Sequence, residues 1–241
     1  MSGVWTIFRR DLSRMIHSNV MGMLIVLFLV MMGALFFVDY FKDVRVLNLR
    51  PFFSQAPLLL SIFCPALTMG TIAGERRAQT LQWLETTPVG SFEIVAGKFL
   101  SCLALLSVVL CFTLSYPLTL SCLGVLDWGP VVGGYLALVM LGGMFISLGI
   151  LASSLSRDQI SSLLLAFFMC FVLTYLHRIA LDSMGWWAEV LGTLSADVHF
   201  SNIARGVVDI RDILYAVTIQ FFALSAAVLQ LESGKYPVTR G

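Results

Sequence analysis

Six apolar windows without a single Asp, Glu, Lys or Arg dominate the chain: Val20–Val38, Phe52–Ala73, Phe99–Leu126, Gly129–Ser156, Gln159–Leu176 and Ile213–Leu231. Each supplies the ~18–20 residues needed to cross about 30 Å of hydrocarbon. One charge at the centre of such a helix costs roughly 2.5–3.5 kcal/mol on insertion scales, so six clean windows predict six membrane helices. In lipid the backbone must satisfy its own polar groups, and these windows are too long and continuous for barrel strands. The expected fold class is therefore all-α integral membrane, with residues 1–241 forming one transmembrane domain. Charged residues make up 12% of the chain, about half the roughly 25% of soluble proteins. A net charge of +1 with no basic block gives no footprint for nucleic acid.

Allowing for helix starts and stops, the spans are placed at about 20–38, 52–73, 95–120, 130–155, 159–177 and 212–231. Pro117 predicts a kink in the long third span, and Pro57 and Pro65 predict irregularity in the second. Residues 2–18 do not read as a cleavable signal. Val4, Trp5, Phe8, Leu12, Met15 and Ile16 recur at helical spacing, with Arg9, Arg10, Asp11, Ser13 and Arg14 on the remaining surface. That pattern predicts an interfacial helix, with Trp5 and Phe8 in the membrane surface and Arg9 and Arg10 at the headgroups. The alternative is a leader whose charges only orient the first span.

Placing the N-terminus inside puts Arg9, Arg10, Arg14, Arg76, Arg77, Lys98, Arg157, Lys235 and Arg240 on the inner side. Lys42, Arg45, Arg50, Arg178, Arg205 and Arg211 then lie outside. The bias favours both termini inside. Asp39–Arg50 becomes a short outer loop, Arg157–Asp158 a tight inner turn, and His177–Asp212 a longer outer segment. This last segment alternates apolar and small residues, predicting short interfacial helices anchored by Trp186 and Trp187. Gly142, Gly143 and Gly149, with Ala152, Ser153 and Ser154, give the fourth span a small-residue face suited to close packing, within the chain or between subunits.

Catalytic and cofactor signatures are missing. There is no GxxxxGK[ST] phosphate loop, no HExxH and no GxSxG elbow. Cys64, Cys102, Cys111, Cys122 and Cys170 form no CxxC pair and read as small apolar fillers, so neither a metal site nor a disulfide framework is expected. The windows lack the intramembrane ionisable residues of a proton- or sodium-coupled carrier.

Polar sequence concentrates in Glu75–Lys98, between the second and third windows. A helix from Gly74 to Thr86 would place Ala78, Leu81 and Leu84 on one face and Glu75, Gln79 and Gln82 on another, with Trp83 beside Arg76. Thr86-Thr87-Pro88 would stop it, because the residue before proline avoids helical backbone. Gly90-Ser91 then starts the next helix, with Glu93 suiting the dipole in its first turn. Such an amphipathic element fits a cleft on a partner; a solvated loop resting on headgroups is the alternative.

These residues carry a resemblance. Pro65, Glu75-Arg76-Arg77, Thr80-Leu81, Thr86-Thr87-Pro88 and Gly97-Lys98 follow in the order seen between spans two and three of ABC-2 type permeases. Ser153–Ile160 (SSLSRDQI) and His199–Tyr215 (HFSNIARGVVDIRDILY) resemble the gliding-motility GldF-like branch. One departure is Gln79 where that family commonly has glycine, which predicts a more regular loop helix. The resemblance implies a permease subunit of an ATP-driven exporter in the bacterial inner membrane, with no cofactor on this chain. It implies a second permease subunit and two copies of a cytoplasmic ABC ATPase that bind ATP and Mg. The loop would be a coupling helix, with Glu75, Arg76, Arg77, Leu81, Leu84, Thr87 and Pro88 as coupling contacts. Two other functions stand beside it. One is a haem-handling membrane protein using His177 and His199. The other is a mechanical module driven by an ATPase and acting on an envelope partner through Ile179–Asp212.

Overall fold

A computed structural model describes residues 3–42, 50–79, 90–123, 127–181, 195–204, 206 and 209–235. Among these the chain is all helix, with no strand. In order the helices are α1 (Gly3–Ile16), α2 (Asn19–Lys42), α3 (Arg50–Thr68), α4 (Ala73–Arg77), α5 (Ser91–Thr113), α6 (Ser115–Leu123), α7 (Trp128–Leu155), α8 (Gln159–Leu181), α9 (Ala196–Ala204) and α10 (Ile210–Lys235). Six segments are long and apolar enough to cross a membrane: Asn19–Val38, Phe52–Arg77, Ser91–Cys122, Trp128–Leu155, Gln159–Leu176 and Ile210–Ser233.

The bundle is built around α7. Of its apolar window 78% is buried, against 17% for the α2 window and 22% for those of α8 and α10. Helices α3 and α5 complete the inner layer, and α2, α8 and α10 pack outside it. Small residues explain why α7 can be central. A Cβ at Gly134 would run into the Phe53 ring of α3, one at Gly142 into Leu106 of α5, and one at Gly149 into Thr68. Gly143 faces Gln220 of α10. The small-residue face of the fourth span therefore packs inside this chain, where helices gain dispersion contact by close approach.

Proline effects differ between the two spans. Pro117 cannot donate to Thr113, and its ring would crowd that carbonyl. The helix accordingly breaks at Leu114, whose amide turns to Cys111 O at 3.2 Å, and α6 restarts at Ser115. Helix α3 runs through Pro57 and Pro65 without a break. Its irregularity comes just after: α3 ends at Thr68, whose hydroxyl donates to Cys64 O at 2.9 Å. Residues 69–72 turn before α4, inside the stretch Phe52–Arg77 that is long and apolar enough to span.

One of the short helices expected in His177–Asp212 is present as α9, against the Gly133 end of α7. Trp186 and Trp187 lie outside the described residues. The Arg157–Asp158 turn forms as expected: Asp158 accepts from the Ser161 amide at 3.0 Å and its hydroxyl at 2.7 Å, starting α8. Those two bonds from Ser161 hold the Asp158 carboxyl below its ordinary range.

Candidate functional site

Helix α1 is sorted into three faces rather than two. Ile7, Asp11 and Met15, spaced four apart, are buried against the bundle. Trp5 and Ile16 are exposed, Phe8 and Leu12 are half-buried, and Trp5 stacks on Phe8 with centroids 5.0 Å apart. Arg9, Arg10 and Arg14 are exposed. This corrects the single apolar face expected for α1. The stripe that meets protein contains an aspartate, while part of the aromatic stripe faces outward as a membrane-surface helix requires.

Close packing seats α1 on α5. At Gly97 a Cβ would lie 2.8 Å from Ile7 Cγ2 and 3.1 Å from the Val4 carbonyl, so only glycine permits this approach. One residue on, Lys98 turns into the interior and is 0% exposed. Its ammonium donates to Thr71 O at 2.7 Å and to Asp11 Oδ2 at 3.1 Å, and lies 2.8 Å from Glu75 Oε2. Arg10 contacts Asp11 Oδ1 at 2.9 Å and Glu75 Oε1 at 3.3 Å. Arg14 reaches Glu75 Oε1 at 3.2 Å and Asp11 Oδ1 at 3.6 Å. Five charges on α1, α4 and α5, with a carbonyl of the 69–72 turn, thus form one network. Burial by itself pushes the Asp11 carboxyl up, but Lys98, Arg10 and Arg14 outweigh it and hold the group below the usual carboxylate range.

A second set of contacts fixes the start of α4 to the end of α7. Ser153 Oγ accepts from the Ile72 and Ala73 amides at 3.1 and 3.0 Å, capping α4 from another helix. Arg76 Nη1 donates to Ser156 O at 3.0 Å, which satisfies a terminal carbonyl of α7. A Cβ on Gly74 would lie 2.8 Å from the Gln159 amide nitrogen. The Ser153–Ile160 stretch and the Glu75-Arg76-Arg77 cluster, far apart in sequence, therefore meet. At the opposite end of α7, His199 Nδ1 pairs with the buried Asp212 carboxylate and its ring stacks on Tyr215 at 4.1 Å.

These positions revise the expected loop. Glu75 is no surface contact; it is 6% exposed and points into the charge network. Arg76 is engaged with Ser156, whereas Arg77, Ala78 and Gln79 are exposed. The helix expected to reach Thr86 instead ends at Arg77, and Gln79 adopts a left-handed backbone with φ 56°. The departure from glycine at position 79 therefore does not regularise the loop helix, because the chain keeps the backbone that glycine suits. Leu81, Leu84, Thr87 and Pro88 lie outside the described residues. A left-handed side chain costs about 1–2 kcal/mol, partly recovered from the stiffer unfolded chain. Gln79→Gly is therefore expected to stabilise the protein in detergent slightly, and Gln79→Val to destabilise it by about 1 kcal/mol, read from the unfolding midpoint. Valine more stable than glycine there would contradict the left-handed turn.

Sequence patterning missed Asp11 and Lys98 as interior groups. The available signal was the Ile7–Asp11–Met15 spacing, hidden by the stronger Trp5, Phe8 and Leu12 stripe. Among the described residues no group of three His, Cys, Asp or Glu side chains is arranged to hold a metal. Every charge of the network touches one of opposite sign, an arrangement that joins segments.

No curated protein matches the chain in sequence. The family profile described as ABC-2 family transporter protein matches residues 5–191, from within α1 to beyond the end of α8. With six helices fit to span a bilayer and a match over more than half its length, the chain belongs to the ABC-2 transporter family and is a permease, the membrane component of such a transporter.

Proposed function

We propose that this permease is the membrane half of an ATP-driven exporter of the GldF-like branch, set in a bacterial inner membrane with both termini inside. It pairs with a second permease subunit, identical or related. Two copies of a separate cytoplasmic ABC ATPase carry ATP and Mg. The segment after α4 docks on that ATPase as the coupling helix, through Leu81 and Leu84 with Arg77 beside them. Trp5, Phe8 and Arg9 hold α1 at the inner membrane surface, and Trp186 and Trp187 anchor the outer side.

The observation that carries this reading is the buried network. It joins Glu75, at the root of the loop, to Asp11 on the surface helix and Lys98 at the entry to the third span. A push on the loop would reach α1, α5 and α7 together, since Ser153 and Arg76 tie the same root to α7. Transmission of this kind needs a packed joint that moves as a body. The GldF-like branch draws on the resemblance of the Ser153–Ile160 and His199–Tyr215 stretches.

The test is co-purification with the ABC ATPase subunit proposed to bind it. Leu81→Asp or Leu84→Asp is expected to reduce recovery of the ATPase at least tenfold while the permease inserts and unfolds at the same temperature. Normal recovery with both variants would remove the docking assignment.

A further inference from the structure

Between α1, the start of α2, the end of α3 and α4 lies an open cavity of about 350 Å³. Its rim is polar, carrying Arg14, Ser18, Glu75 and Gln159, and its floor is Met21, Leu24, Ala66 and Leu67. Leu24 and Ala66 also line a second hollow of about 80 Å³, which continues between α2 and α3 past Leu27, Phe28 and Ile62 with an almost wholly apolar wall. The two hollows adjoin at Leu24 and Ala66, the first with polar side chains in its lining and the second almost wholly apolar. That is the profile of an amphiphile lying parallel to the helices.

Charge selects its headgroup. Among the described residues the network holds three cations, Arg10, Arg14 and Lys98, against two carboxylates, Asp11 and Glu75, one positive charge in excess. Lys98 is fully enclosed, so the excess falls on the arginines, whose side chains are 46% and 50% exposed. Of these, Arg14 stands on the groove rim. Glu75 is the one acid among the lining residues, and Lys98, Arg10 and Arg14 already face it. A guanidinium presents a planar fork that matches a phosphate, and Ser18 and Gln159 offer further donors beside it.

We propose that this groove holds an anionic phospholipid from the leaflet at the α1 end. Its phosphate lies against Arg14, Ser18 and Gln159, and one acyl chain runs down between α2 and α3. The site lies beside the charge network and does not depend on the direction of transport or on the ATPase partner. Occupied, it neutralises the surplus charge at the joint between α1 and α4.

The test is native mass spectrometry of the full chain in detergent with phosphatidylglycerol and phosphatidylcholine of identical acyl chains. At least a fivefold preference for retained phosphatidylglycerol is expected. Arg14→Gln should abolish the preference. Ala66→Trp, which fills the junction of the two hollows and leaves every charge in place, should reduce retained phosphatidylglycerol about tenfold. Leu24→Trp blocks the same junction from the opposite wall, should Ala66→Trp fail to fold. Equal retention of both lipids by the unaltered chain, or undiminished retention by a folded junction variant, would overturn the proposal.

Discussion

Lys98→Met is expected to destabilise the protein by on the order of 3 kcal/mol, toward the lower end of the 3–5 kcal/mol for breaking a buried pair from one side. The ammonium is the only member of the network with no exposed surface, and it alone touches Asp11, Glu75 and the Thr71 carbonyl together. Methionine fills most of the volume but leaves Asp11 and Glu75 facing an apolar group, with the Thr71 carbonyl losing its donor. Arg10 and Arg14 soften the loss because each already touches both carboxylates. Thermal unfolding in detergent reads the effect, and an unchanged midpoint would show that Lys98 is not buried among these acids.

A second substitution separates stability from transmission. Removing the inner charges together, as Lys98→Met with Asp11→Asn and Glu75→Gln, leaves no carboxylate without its cation. Arg10 and Arg14 are exposed enough to turn to water. Replacing a whole buried ion group is often near neutral, whereas removing one partner is not. The triple variant should therefore recover most of the lost midpoint. If the network is the joint between loop and spans, ATPase activity in the assembled transporter should still lose its response to the membrane domain.

The six spans were legible because lipid imposes a one-dimensional rule: long uncharged runs must be helices. The same rule hid the site. Lys98 stands one residue before the Phe99 window, and charge at a window edge is ordinarily solvated or at headgroups, so nothing local marks it as interior. Its burial depends on Gly97, which lets α1 approach, and on Asp11, which lies 87 residues away in sequence. The end of α4 was misread for a related reason. Spacing of Ala78, Leu81 and Leu84 suits a helix, but the left-handed backbone at Gln79 is a local choice that periodicity does not register. The fourth-span glycines, by contrast, were recognised as a packing face, and only their partners in α3, α5 and α10 needed coordinates.

Gly97→Leu is expected to release α1 from the bundle, and its effect should exceed that of alanine at Gly74 or Gly22. The new Cβ would meet Ile7 Cγ2 at 2.8 Å, Ile7 Cβ at 2.9 Å and the Val4 carbonyl at 3.1 Å. Two of these atoms belong to or adjoin the α1 backbone, so rotating a side chain gives no relief. Overpacking of this kind costs roughly 1–3 kcal/mol even for small insertions, and leucine adds more bulk at the same place. Lifting α1 also draws Asp11 away from Lys98, now 3.1 Å apart, so the steric and ionic losses couple and should not add independently. Gly74→Ala is the near control, because its closest neighbour is the end of the flexible Gln159 side chain, and Gly22→Ala the remote one, with nothing within 4 Å. The expected order of midpoints is Gly22→Ala close to the unaltered chain, Gly74→Ala slightly lower, and Gly97→Leu lowest. A cysteine placed at the half-buried Val4, in a chain whose exposed Cys111 and Cys122 are replaced by serine, should label faster with a thiol reagent in the Gly97→Leu background. If labelling stays low and the midpoint holds, α1 is not seated by Gly97, and the network would have to be stable without close helix contact.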